Sequence, residues 1–176
     1  GSGQTQSLSS SSAGITLGAT TVAGSLSIAS SGVVQQTGSL AVQGPTSVVA
    51  PGQDVRLNDA ANRFSGPVAA TASNMALSSN DDLILGNMQL SGSLTASSGG
   101  EISQSGGSSI GVGQSTNLAA GAEIRLQGAS NDFRGVINAQ ASNIALNDGA
   151  GGMVLGNIQT PGNLELVSKG GSIWQD

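Results

Sequence analysis

Along most of the chain an apolar residue, any residue and a second apolar residue are followed by a break on Gly, Asn, Asp or Ser. The pairs include Leu26/Ile28, Leu40/Val42, Val55/Leu57, Met75/Leu77, Leu83/Leu85, Ile110/Val112, Ile124/Leu126, Ile144/Leu146 and Leu164/Leu166. Alternation at period two over so few residues predicts short strands with one buried face. Helical spacing is sustained nowhere, and the Gly and Asn punctuation would break a helix. The predicted class is all-β.

The strands recur in a longer phrase. Asn62-Arg63-Phe64-Ser65-Gly66 returns as Asn131-Asp132-Phe133-Arg134-Gly135, and Ser73-Asn74-Met75-Ala76-Leu77 returns at the same offset as Ser142-Asn143-Ile144-Ala145-Leu146. That offset, about 69 residues, is long enough to hold several strands. Leu85-Gly86-Asn87-Met88 returns one position later still, as Leu155-Gly156-Asn157-Ile158. A partial third copy extends the pattern. Gly24-Ser25-Leu26 matches Gly92-Ser93-Leu94 and Gly162-Asn163-Leu164, and Val34-Gln35-Gln36 matches Ile102-Ser103-Gln104 and Ile173-Trp174-Gln175.

Self-similarity at a fixed long period marks a stacked repeat, and it favours a solenoid over a sandwich. Apolar anchors through one period run Leu57, Val68, Leu77, Leu85, Leu94, Ile102, Val112 and Leu118, eight short strands with Phe64 a candidate ninth. Nine strands in three triangular coils would give about 23 residues per coil. The expected fold is therefore a right-handed parallel β-helix with coils of roughly 20–23 residues. One such segment fills residues 14–176 with about two and a half copies of the repeat. Residues 1–13 form a Ser/Gln-rich lead-in expected to dock loosely, and Gly1-Ser2-Gly3 reads as a cloning remnant. The chain stops in mid-repeat at Trp174-Gln175-Asp176, as a piece of something longer would.

Composition narrows the chemistry. With two Phe, one Trp, no Tyr and 28 Gly in 176 residues, the core must be built from Leu, Ile, Val, Met and Ala, which suits narrow layers. The net charge of −5 comes from ten acidic residues scattered against five basic ones, so no basic stripe invites a nucleic acid. No run is long and apolar enough to span a membrane as a helix. Absence of Cys removes disulfides and thiolate chemistry, and absence of His removes imidazole-based triads and metal sites.

Asn-x-Phe-x-Gly, Ser-Asn-x-Ala-Leu, Leu-Gly-Asn, and Gly-x-Leu followed by Ile-x-Gln together resemble the shaft repeats of large bacterial exoproteins of the filamentous-haemagglutinin type. The resemblance implies a right-handed parallel β-helix, export by two-partner secretion or as an autotransporter, and an extracellular or cell-surface location. It also implies a role in virulence as an adhesin shaft that holds a binding tip away from the cell. The partners it implies are an outer-membrane secretion protein and a host-cell, matrix or glycan ligand. A stalk for a contact-dependent growth-inhibition toxin is an alternative. A polysaccharide-binding or pectate-lyase-like β-helix module is another.

No enzymatic activity, cofactor or metal is expected. Asp81 and Asp82, the only adjacent carboxylates, read as solvated turn residues, and so does Asp148; the second copy has Gly149-Ala150-Gly151-Gly152 near the place of the pair. No Gly-Gly-x-Gly-x-Asp calcium repeat occurs. Asn62/Asn131, Asn74/Asn143 and Asn87/Asn157 are expected at corners, bonding stray peptide groups. Phe64 and Phe133 are expected inside, Arg56 and Arg125 outside. Trp174 is the one candidate surface contact, because its equivalents Gln35 and Ser103 flank inward residues and an exposed indole can stack on a sugar ring. Open strand edges at both ends predict end-to-end self-association.

Overall fold

The computed structural model describes residues 4–176, so Gly1-Ser2-Gly3 lies outside the described residues. Every strand pairing is parallel, and the chain winds as a β-solenoid of about eight coils. The first three coils are β1 (Gln6–Ser10), β2 (Ile15–Leu17) and β3 (Thr20–Val22); β4 (Leu26–Ser30), β5 (Val34–Gln36) and β6 (Leu40–Val42); β7 (Thr46–Ala50), β8 (Val55–Leu57) and β9 (Arg63–Phe64). Within each coil the strands occupy a first, second and third face in turn. Within the Ser/Gln-rich lead-in, residues 6–10 are docked and not loose: β1 pairs with β4 in full register from Gln6 with Leu26 to Ser10 with Ser30.

The fourth coil introduces a long strand. After β10 (Val68–Ala72) and β11 (Met75–Ser79), β12 (Leu83–Leu90) runs round a corner without a turn. Its head continues the third face, because Asn80 N–H donates to Asn62 O just before it. Its tail lies on the first face, against Ala70, Thr71 and Ala72. The later coils use β13 (Leu94–Ser98), β14 (Ile102–Gln104), β15 (Ile110–Val112), β16 (Thr116–Ala120), β17 (Glu123–Leu126), β18 (Asp132–Phe133), β19 (Val136–Gln140) and β20 (Asn143–Asp148). A second long strand, β21 (Met153–Gln159), precedes β22 (Leu164–Ser168) and β23 (Ile173–Gln175).

Coil length and repeat length do not divide evenly. Partners across neighbouring coils are spaced most closely in sequence at Val68 with Leu85 and most widely at pairs such as Leu94 with Thr116. One full period, β4 to β12, holds nine strands, of which β12 covers two faces. That makes ten strand segments, or three and one third coils. The expected division of a repeat into three equal coils does not hold. Each copy is instead rotated by one face: β4 on the first face becomes β13 on the second, and β8 on the second becomes β17 in line with β14 on the third.

Inward side chains stack in columns. On the second face one column runs Val34, Val55, Met75, Leu94, Thr116, Ile137 and Leu155. Phe64 stands over Val42 and Phe133 over Val112, both buried as expected. A ring of this size contributes about 2–3 kcal/mol through burial, a large share for one residue of a narrow core. Thr46 and Thr116 also sit fully inside, at equivalent places, and their hydroxyls find no partner. The β-branched shape of Thr fills the column as Val would, and its oxygen contributes nothing there.

Candidate functional site

The recurring polar residues lie at corners. Asn62 is fully buried, and its amide is saturated: Oδ1 accepts from Gln36 Nε2 and Leu40 N, both at 2.8 Å, while Nδ2 donates to Gln36 Oε1 at 2.9 Å and Leu57 O at 3.0 Å. Asn131 repeats the arrangement with Gln104, Ile110 N and Leu126 O. A buried amide leaves no polar atom unpaired here, which the narrow core requires. The return of Gln36 as Gln104 is the signal in the sequence that ties these glutamines to the asparagines.

A second corner uses serine. Ser98 Oγ donates to Asp81 O at 2.7 Å and accepts from Gly100 N at 3.1 Å. Ser30 Oγ accepts from Gly32 N at 3.2 Å, and Ser168 Oγ donates to Gly151 O and Gly171 O. All three end a five-residue strand before a glycine corner. Composition hides them, because Ser is everywhere in this chain.

A third element is charged and exposed. Asp54 pairs with Arg56 at 2.8 Å and accepts from Asn74 Nδ2, whose own Oδ1 accepts from Ser93 N. Glu123, Arg125, Asn143 and Asn163 N repeat it one face further round. The hydrogen bonds that Arg125 donates to Glu123, with the charge of that carboxylate, raise the Arg125 pKa above the ordinary arginine value. Arg56 and Arg125 point outward, as alternation predicts, and each guanidinium is tied to a carboxylate two residues earlier in the chain.

The remaining acids separate. Asp81 is exposed and pairs with Arg63, whereas Asp82 turns its carboxylate to the Glu101 N–H at 2.8 Å. They do not face each other across a cleft, the arrangement that two-carboxylate hydrolysis needs. Asp148 corrects the expectation of a solvated turn. It is fully buried, with Oδ1 accepting from Ala150 N and Gly151 N, both at 3.0 Å, and Oδ2 from Phe133 N at 3.3 Å. It replaces Ser79 of the first copy as the inward residue that closes a strand. Among the described residues no group of three or more metal-ligating side chains gathers. Trp174, on β23 beside Val154, is 66% exposed.

Strands, corners and period together define a parallel β-solenoid of tandem repeats. The chain belongs to the family described as repeats of unknown function (DUF5649), whose model matches it twice, over residues 3–71 and 72–140. No curated protein and no solved structure matches the chain. The two matched copies have the period of the recurring phrases, and the coils run through their boundary: Thr71 and Ala72 lie within one strand. Among the described residues no helix is long and apolar enough to cross a membrane.

Proposed function

We propose that this chain is a stretch of shaft from a large secreted bacterial surface adhesin, a rigid spacer that holds a binding tip away from the cell and makes lateral contacts of its own. In this reading the full-length protein leaves through an outer-membrane secretion partner and acts outside the cell. One observation supports it above the others: what recurs between copies is mostly what the coil needs. Asn62/Asn131, Gln36/Gln104, Phe64/Phe133 and the serine corners are inside or at corners. Apart from the Arg56/Arg125 ion pairs, many outward residues change, as with Ser47 against Asn117, Ala69 against Asn138 and Thr71 against Gln140. A repeat that keeps its coil and varies its surface fits a part whose job is length and stiffness.

The test is display and reach. Antibodies raised against residues 4–176 should label intact source cells, and surface proteolysis should remove the signal. Removal of whole repeats from the full-length protein should shorten the displayed fibre and reduce attachment to host cells or matrix. A protein found only inside intact cells would rule the reading out.

A further inference from the structure

On the second face between coils five and seven the outward residues stack as Thr95, Asn117 and Asn138 in one rank and Ser97, Ala119 and Gln140 in the next. These six line a shallow groove along the solenoid axis, and Asn157 and Gln159 close one end of it. None of the lining residues is charged. Asn138 is pinned, with Nδ2 donating to Asn117 Oδ1 at 2.9 Å and Oδ1 accepting from Asn157 N at 2.8 Å. Among the described residues the Asn117 NH2 and the whole Gln140 amide have no protein partner.

The coil does not require these amides. The equivalent places in the first copy are Ser47 for Asn117, Ala69 for Asn138 and Thr71 for Gln140, with Val49 for Ala119, and the same strands stack there in unbroken register. Side chains that folding leaves free to vary, and that converge on a hollow with open donors and acceptors, are available for a ligand.

We propose that this groove binds a neutral polysaccharide lying along the axis. Asn117 and Gln140 offer amide donors and acceptors to vicinal hydroxyls, and Ala119 gives the flat apolar floor that a sugar ring's C–H face meets. Coils follow one another at about 4.8 Å, close to the length of one ring, so successive coils meet successive sugars. The absence of cationic lining disfavours a sulfated or uronic chain. The groove is far smaller than the roughly 800 Å² per partner of a stable protein interface. The proposal supplies the lateral contact of the shaft reading and rests on that reading only for its biological use.

The experiment titrates the 15N-labelled chain with cellohexaose, mannohexaose and chitohexaose, and with hexagalacturonate as the charged comparison. At least one neutral hexamer should shift the side-chain amide signals of Asn117 and Gln140, while hexagalacturonate does not. Gln140→Ala and Asn117→Ala, both at surface positions, should each weaken binding by about five- to tenfold, the loss of one or two hydrogen bonds. Thr71→Ala, at the equivalent place on the first face, should change nothing. Silence toward all three neutral hexamers at millimolar concentration, shifts confined to other residues, or unchanged binding by both amide variants would overturn the proposal. Cell-surface labelling is read separately, so the groove and the shaft can fail independently.

Discussion

Gln36 and Asn62, from adjacent coils, face each other as a reciprocal amide pair, each donating to the other's oxygen at 2.8 and 2.9 Å, with Asn62 fully buried and Gln36 half-buried. The pair returns as Gln104 and Asn131 on a different face. It ties one coil to the next where the ladder of the third face is short, only two residues at β9.

Asn62→Ala removes the side-chain partner of the buried Leu40 N–H and Leu57 carbonyl and leaves the Gln36 NH2 with only the Gly38 carbonyl. The expected cost is about 3 kcal/mol, since each stranded buried group carries about 1–3 kcal/mol. Asn131→Ala should cost the same. In a double-mutant cycle with Gln36→Ala, urea unfolding should show a coupling of about 1 kcal/mol or more. Strict additivity would mean that the two amides do not act as a unit.

Thr46 and Thr116 carry buried hydroxyls without partners. Replacing each with Val keeps the branched shape and removes the orphan oxygen. Each change should stabilise the fold by about 1 kcal/mol, the lower end of the penalty for an unpaired buried group. A loss of stability in both variants would show that the hydroxyls are hydrogen-bonded in solution.

Gly66 and Gly135 close the Asn-x-Phe-x-Gly phrase where neighbouring coils approach closely. A Cβ at Gly66 would sit 2.5 Å from the Gly44 carbonyl carbon, and one at Gly135 2.5 Å from that of Gln114. Gly18 has nothing within 4 Å. Gly66→Ala and Gly135→Ala should therefore destabilise by about 1–3 kcal/mol, as overpacking does. Gly18→Ala should be neutral or better, and equal melting temperatures for the three variants would contradict the close approach.

Removal of residues 72–140 joins Thr71 to Ala141, which is the counterpart of Ala72, and both alanines are buried. The shortened chain should fold with β20 on the face that β11 now occupies. Its length by small-angle scattering should fall by about 16 Å, three and one third coils at about 4.8 Å each. Its stability should fall as well, because a solenoid sums neighbour terms. A β-rich spectrum with no change in length would refute the third-of-a-turn relation between copies.

Much of the fold is legible in the order of residues. Period-two pairs locate the strands, and recurrence locates the copies. Phe64 and Phe133 read correctly as inward, Arg56 and Arg125 as outward. Thr46 and Thr116 do not read as core, because polarity argues against burial and only a stacking column shows that shape can outweigh one hydroxyl. Asp148 misleads for the same reason: a carboxylate in a glycine-rich stretch looks solvated until three backbone N–H groups are seen to converge on it. The groove is not legible either. Thr95, Asn117 and Asn138 each lie a whole coil apart in the chain and become neighbours only when coils stack.

The amino-acid sequence by itself determined that this protein is a repeating all-β coil, because alternation and a fixed period depend only on the order of residues. Tertiary structure decided how much chain closes a coil, and hence that the copies turn by one face. Apolar spacing is compatible with shorter or longer coils, and only hydrogen bonding between successive coils selects one register. The same stacking places Gln36 against Asn62, and it decides which outward residues share a face.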